Sequence, residues 1–133
     1  MSASLHFYCT GLDFRVTNEW EPEGKLRWCW LQLGDAALML QEIYDEGGHD
    51  APRRDRLGEG VTICIMCGDA LAIYLQSIAR DLAPREPFVG NGLWVVSYTD
   101  PDGYRIDFES PTDAPEEISL SAWLEKTNGP SGS

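Results

Sequence analysis

Residues 100–109 read Asp-Pro-Asp-Gly-Tyr-Arg-Ile-Asp-Phe-Glu, a turn sequence followed by an alternating one. The first four residues are typical of a tight hairpin turn, in which Gly103 can supply a positive φ. From Tyr104 onward, apolar and charged side chains alternate, as they do in a strand with one buried face. Residues 93–99, which precede the turn, are predicted to form the other strand of the hairpin. The stretch therefore predicts an antiparallel hairpin at the end of a sheet.

Outward from this hairpin, local patterns predict an α+β chain. Strands are expected at residues 14–20, 27–33, 36–42, 61–67, 86–89, 93–99 and 104–109. Helices are expected at residues 4–10, from an Asp69 cap to residue 82, and at residues 118–126. The second half thus has the order βαβββ, and the first half has the same order without its opening strand. A pattern shared by two halves indicates duplication.

The second helix is predicted to bury one apolar stripe. Its members recur at helical spacing: Ala72, Leu75, Ile78, Ala79 and Leu82.

The length of 133 residues predicts one domain, 1–133. Within it we expect module one at 3–42, a polar linker at 43–60, module two at 61–111 and an acidic C-terminal tail at 112–133. Only three residues precede the first helix, too few for the missing strand. We expect another chain, a rearranged sheet or a truncated start to account for it.

The net charge of −12 excludes the cationic surface that nucleic acids and anionic membranes require. It would attract a cationic ligand, or it serves solubility alone. The sequence has no long apolar run and no visible signal peptide, so we expect a cytoplasmic protein with reduced thiols.

Two of the four cysteines, Cys64 and Cys67, form a Cys-x-x-Cys pair inside a predicted strand. Residues three apart on a strand point to opposite faces. We therefore expect buried thiol packing here and not a zinc or redox site.

Three segments resemble the vicinal-oxygen-chelate superfamily of glyoxalases, bleomycin-resistance proteins and dioxygenases. They are Ser-Leu-His-Phe-Tyr at 4–8 with Gly-Leu-Asp-Phe at 11–14, the strand at 34–42, and the hairpin at 100–109. The resemblance covers residues 3 to 111. It implies two βαβββ modules whose sheets curl into a cup with helices outside, and a homodimer that is domain-swapped in many members.

The resemblance also implies where a metal would lie. Enzymes of the superfamily chelate a divalent ion through the first and last strands of each module, and those positions fall on Thr62, Asp107 and Met39, with the remaining strand absent. Threonine and methionine are poor ligands for such an ion. Asp107 is the only surviving candidate, since Glu42 and His49 lack the spacing. We expect no metal and no other cofactor.

Strand alternation selects the side chains that would line the cup. The candidate ligand-binding residues are Trp28, Trp30, Met39, Gln41, Thr62, Cys64, Met66, Trp94, Tyr98, Arg105, Asp107 and Glu109. The faces of Trp94 and Tyr98 stay open. An aromatic-walled cavity suits a planar or cationic compound. Alternatively, Trp28 and Trp30 pack at a dimer interface and Arg105 pairs with Glu109 or Asp107.

These features favour a metal-free binding protein that sequesters an aromatic or cationic small molecule, as bleomycin-resistance proteins do. The alternative is a metal-dependent lyase or isomerase, dioxygenase or thiol transferase with non-standard ligands. A third possibility is an interaction module left by a truncated gene. The catalytic residues are unknown; His6 on a surface helix and His49 in the linker are weak candidates.

Overall fold

A computed structural model describes residues 1–42 and 57–128. The chain forms two compact units, the first made of residues 1–60 and 100–104 and the second of residues 61–99 and 105–133. Most of the predicted linker, and His49 with it, lies outside the described residues.

The first unit begins with a helix and continues as three antiparallel strands. Helix α1, Ser2–Leu5, runs directly into a π-helix, His6–Gly11, so the helical segment starts earlier than predicted. The strands β1, Arg15–Trp20, β2, Trp28–Leu33, and β3, Ala36–Gln41, pair in the order β1-β2-β3. Residues 1–14 contain no strand, which confirms the predicted absence of the opening strand.

One face of this sheet is buried. In β2, Cys29 and Leu31 are fully buried, while the other four residues of the strand are half-buried or exposed. The helical segment supplies Tyr8, whose ring meets Phe14 edge-on with 5.7 Å between centroids. Phe7 and Tyr8 are also in edge contact. Apolar burial on this side therefore sets which residues of β2 and β3 face the other way.

Strand β1 departs from simple alternation. All six of its residues are exposed, and the pairing with β2 shifts by one residue between Val16 and Asn18. Val16 pairs with Leu31, but Asn18 pairs with Trp30. A bulge of this kind puts two residues opposite one, so the strand changes face along its length.

The turn at residues 100–104 is organised by one buried carboxylate. Asp100 Oδ1 accepts hydrogen bonds from the backbone amides of Asp102 and Tyr104, at 2.9 and 2.8 Å. Its Oδ2 accepts a hydrogen bond from the Tyr8 hydroxyl at 2.7 Å. Burial and the neighbouring Asp100 carboxylate raise the pKa of Tyr8 well above its usual range. The tyrosine therefore stays a protonated donor.

The second unit has the complete βαβββ order. Strand β4, Thr62–Met66, is followed by helix α2, Ala70–Ala79, and by β5, Phe88–Gly90, β6, Leu93–Thr99, and β7, Arg105–Pro111. The strand order is β4-β7-β6-β5, and β4 lies parallel to β7. Ile106, Phe108 and Val96 are fully buried on one face of this sheet.

Helix α2 begins as predicted but buries a different stripe. The Asp69 side chain accepts a hydrogen bond from the Ala72 amide, which confirms the cap. The buried residues of the helix are Ala70 and Ser77, and the Ser77 hydroxyl lies 2.7 Å from the Tyr98 hydroxyl. Leu75 and Ile78 are exposed, so the predicted stripe is wrong. The helix packs against β6 and β7 through its small residues.

The acidic tail begins with an ordered segment. Backbone hydrogen bonds join Glu117 and Ile118 to Val89, and Leu120 to Pro87, so this segment covers the outer edge of β5. Helix α3, Leu120–Thr127, follows with a Ser119 cap. Covering an edge in this way protects its backbone groups from pairing with another chain.

The predicted α+β fold is confirmed: two related modules are present, and the first lacks its opening strand. None of the helices in residues 1–42 and 57–128 is long and apolar enough to cross a membrane.

Replacing Tyr8 by Phe tests the hydrogen bond to Asp100. The variant removes a donor from a buried carboxylate, so we expect the free energy of unfolding to fall by about 1–3 kcal/mol in urea denaturation. Tyr74→Phe is the matched control, since no described residue accepts a hydrogen bond from that hydroxyl. Equal stability of the two variants would show that the Tyr8 hydroxyl does not stabilise the turn.

Candidate functional site

The outward face of the first sheet carries three tryptophans. Register places Trp20 beside Trp28 and Trp28 beside Gln41, while Trp30 pairs with Met39. Paired residues of neighbouring strands share a face, with Cβ atoms about 4.5–5.5 Å apart. We call the set Trp20, Trp28, Trp30, Met39 and Gln41 the tryptophan face.

The tryptophan face is open. Trp20 is 53% exposed, Trp30 36% and Met39 61%. Large apolar side chains grouped at this exposure are typical of an interaction surface. The Trp30 indole Nε1 donates to Gln32 Oε1 at 3.4 Å, and Gln32 Nε2 donates to the Gly34 carbonyl at 3.4 Å. These contacts bias the orientation of the Trp30 ring.

Trp20 was missing from the sequence prediction. Counting residues back from the turn at 22–24 would have paired Trp20 with Trp28. The bulge near Thr17 then decides that Trp20 and Asn18, but not Val16, lie on the tryptophan face.

A cavity of about 410 Å³ adjoins this face through Gln32. Its lining also includes Asp13, Arg15, Thr17, Leu33 and Gly34. Small-molecule sites commonly have volumes of roughly 300–1,000 Å³. The first unit thus offers an aromatic surface with a hollow beside it.

The matching face of the second sheet is polar. Register brings together Thr62 with Arg105, Cys64 with Asp107, and Met66 with Glu109. Strand β6 adds Ser97 beside Asp107 and Thr99 beside Arg105. We call this set the guanidinium face: Thr62, Cys64, Met66, Ser97, Thr99, Arg105, Asp107 and Glu109.

Arg105 is held in place on the guanidinium face. Its Nε lies 3.0 Å from Asp107 Oδ1, and its Nη2 donates to Asp107 Oδ2 at 3.3 Å and to the Ser97 hydroxyl at 3.1 Å. Asp107 and Ser97 are buried, at 7% exposure each, whereas the Arg105 side chain is 43% exposed. The ion pair gives both oxygens of the buried aspartate a hydrogen-bond donor, while part of the guanidinium stays in contact with solvent.

The Cys64 thiol lies on the open side of β4, so the prediction of buried thiol packing is wrong for this residue. Cys64 is exposed and Cys67 half-buried; all four cysteines are free. The Cys64 thiol donates to Glu109 Oε2 at 2.6 Å. Desolvation, this hydrogen bond and the Glu109 charge raise the pKa of Cys64 to about 11. The thiol is therefore protonated and unreactive near neutral pH.

Trp94 and Tyr98 do not belong with the other candidates. They are buried, and their neighbours in register, Ser110 and Ile106, lie on the face that packs against α2. Their inclusion in the predicted ligand-binding set is therefore corrected. Trp94 and Tyr98 alternate with Ser97 and Thr99, which face the other way, because successive residues of a strand point to opposite sides.

A second cavity, of about 250 Å³, opens on the guanidinium face. Ala83, Arg85, Ser97, Thr99 and Arg105 line it. Arg85 was not predicted as a site residue, because it lies in an irregular segment between two prolines where no periodicity operates.

Within the part of the chain that the structure describes, no cluster of three or more His, Cys, Asp or Glu side chains is placed so that it could hold a metal ion. The His6 side chain is exposed on the helical segment.

Comparison with known proteins identifies the family. The model of the glyoxalase/bleomycin resistance protein/dioxygenase superfamily matches residues 1–108. The chain belongs to this superfamily. The resemblance drawn from its three sequence segments is thereby confirmed. No curated protein matches the chain significantly.

Solved structures share the fold at low sequence identity. The antibiotic-binding protein TnmS3 from Streptomyces sp. CB03234 is 18% identical, covers 84% of this chain and 86% of its own, and has a TM-score of 0.62. TioX from Micromonospora sp. ML1 is 16% identical, and the match covers 86% of this chain and 90% of TioX, with a TM-score of 0.61. Lactoylglutathione lyase from Agrobacterium tumefaciens is 19% identical, and the match covers 82% of this chain and 84% of the lyase, with a TM-score of 0.59.

The Cys64–Glu109 contact makes a prediction about thiol reactivity. In Glu109→Gln the negative charge is lost, so the pKa of Cys64 should fall and its alkylation by iodoacetamide at mildly alkaline pH should accelerate several-fold. Peptide mapping by mass spectrometry would follow Cys64 separately from the other thiols. Glu125→Gln in α3 is the charge-matched control and should leave the rate unchanged. An unchanged rate in Glu109→Gln would exclude the proposed effect of Glu109 on the thiol.

Proposed function

We propose that this protein binds a planar aromatic small molecule on the tryptophan face, without a metal ion. The observation that carries the proposal is the exposure of Trp20, Trp30 and Met39 on one side of a sheet whose other side is buried. Indole rings bind flat aromatic molecules and cations through their π-faces. A thioether is polarizable and adapts to differently shaped rings.

The surroundings of the tryptophan face favour an aromatic body over a compact cation. Beside Gln41, its polar neighbours are the amides Asn18 and Gln32 and the guanidinium of Arg15, which pairs with Gln32, while strands β2 and β3 carry no charged residue. A cationic aromatic ligand would gain in addition from the overall charge of −12. The ligand class is therefore aromatic first, with positive charge an added preference.

Relatives in structure support a binding role. TnmS3 is described as an antibiotic-binding protein, and the superfamily includes bleomycin-resistance proteins. Sequestration needs affinity and an open surface, and it needs no catalytic group. We propose the same class of activity for this chain.

The residues at the superfamily's metal positions do not fit a divalent ion. Thr62 and Met39 offer a hydroxyl and a thioether, which bind such ions weakly. Asp107 is already paired through both oxygens with Arg105. A cation at Asp107 would meet the positive guanidinium at hydrogen-bond distance. These contacts support binding without a metal.

The predicted homodimer and cytoplasmic location stay predictions. A dimer that buried Trp28 and Trp30 would compete with a ligand for the tryptophan face, so oligomeric state belongs in any binding measurement.

Tryptophan fluorescence tests the binding proposal. Proflavine, a planar cation, and riboflavin, a planar neutral molecule, should both quench the emission saturably. Trp30→Ala should weaken the affinity about threefold to tenfold, because one ring contact is lost. Trp123→Ala in α3 is the matched control. Absence of saturable quenching by either dye, at monomer and dimer concentrations alike, would refute the proposal.

Elemental analysis tests the proposal that the protein binds its ligand without a metal ion. The purified protein should contain far less than one equivalent of any divalent transition metal, and chelation should leave dye affinity unchanged. A stoichiometric ion that is lost in Asp107→Ala would instead favour a metal-dependent enzyme.

A further inference from the structure

The cavity on the guanidinium face brings two arginines together in a protein of strongly negative charge. Arg85 and Arg105 both line this cavity of about 250 Å³, with the hydroxyls of Ser97 and Thr99 between them. Both hydroxyls can donate or accept hydrogen bonds.

Arg105 presents part of its guanidinium to the cavity. Its Nε and Nη2 are used by Asp107 and Ser97. No described residue accepts a hydrogen bond from Nη1, which leaves two N–H donors for a ligand. Because Asp107 and Ser97 already fix the group, little conformational entropy is lost when a ligand accepts from it.

Arg85 is held at its backbone by its neighbours in sequence and by the next strand. It lies between Pro84 and Pro87, whose rings restrict φ, and its backbone amide donates to the Ser97 carbonyl at 3.4 Å. The neighbouring Glu86 carboxylate is bound by the Ser121 amide at 2.7 Å. In the described part of the chain, Arg85 has no ion pair.

The two charged side chains that line the cavity, Arg85 and Arg105, are both positive. Asp107, which pairs with Arg105, offsets one of these charges. Glu86 and Glu109 lie nearby in sequence and carry negative charge, but neither lines the cavity, and they accept hydrogen bonds from Ser121 and Cys64. The lining therefore favours an anion that carries a single charge.

We propose that this cavity binds the carboxylate of a small organic acid. Arginine matches a planar carboxylate with two parallel hydrogen bonds, and the net single positive charge matches a monoanion better than a phosphate dianion. The volume suits a carboxylate with a small substituent. This proposal does not rest on binding at the tryptophan face, so either proposal can fail without the other.

Benzoate is the probe, and benzamide is its neutral counterpart of the same shape. Titration followed by NMR of the arginine Nε–H signals should show saturable shifts for Arg85 and Arg105 with benzoate. Benzamide should bind at least about tenfold more weakly, because it lacks the charge that both arginines recognise. Inorganic phosphate should bind more weakly than benzoate, and high salt should weaken benzoate binding.

Two variants locate the site. Arg85→Gln should weaken benzoate binding about fivefold to tenfold. It breaks no ion pair with a described residue, so it tests the proposal even if Arg105→Gln fails to fold. Arg80→Gln, at the end of α2, removes the same charge outside the cavity and should leave the affinity unchanged. Because benzoate is itself a planar aromatic that the tryptophan face would also bind, each affinity is read from the shifts of the arginine Nε–H signals.

Three results would overturn the proposal. One is equal affinity for benzoate and benzamide, which would indicate ring contact alone. Another is tighter binding of phosphate than of benzoate. The third is equal loss of affinity in Arg85→Gln and Arg80→Gln, which would indicate a general charge effect.

Discussion

Burial of one face of each sheet is the constraint on which the rest of this structure depends. Ile106 and Phe108 are fully buried, and because side chains alternate along a strand, Arg105, Asp107 and Glu109 must face the other way. A slip of one residue would bury those charges and expose the core, so the register is strongly fixed. Cys29 and Leu31 impose the same choice on β2, where it brings Trp28 and Trp30 to the open side. The same rule thus presents indoles on one sheet and a guanidinium on the other.

A buried aspartate beside an exposed guanidinium explains how a charged strand is tolerated. Taking Asp107 out of water costs free energy unless its oxygens are satisfied. Both oxygens accept from Arg105, which keeps part of its own side chain hydrated. The arrangement orders Arg105 and leaves the strongest metal-ligand candidate on this face occupied by an internal cation. The structural pairing of Asp107 and its poor fit to a divalent ion are therefore two consequences of one contact.

The sequence predicted the elements better than the surfaces. The hairpin at 100–109, the Asp69 cap and the strands followed from local patterns, which residues close in sequence specify. Helix α2 was assigned the wrong stripe because its buried side is chosen by the sheet: Tyr98 fills the space beneath it and leaves room for Ser77 and Ala70. The β1 bulge that places Trp20 is likewise set by pairing with β2. Arg85 lies in an irregular segment, where no period indicates a direction.

The acidic excess also has a structural explanation that composition could not reveal. Several carboxylates accept hydrogen bonds from backbone amides: Asp69 caps α2, Asp100 organises its turn, Glu86 binds Ser121, and Glu116 binds Asn91 and Gly92, both at positive φ. Ionised acceptors make strong bonds of this kind. These side chains stabilise turns and helix starts whatever the protein binds. A net charge of −12 is consequently weak evidence for a cationic ligand. The ligand that we propose for each face rests instead on the few side chains that line it, which are mainly indoles and amides in one unit and two arginines in the other.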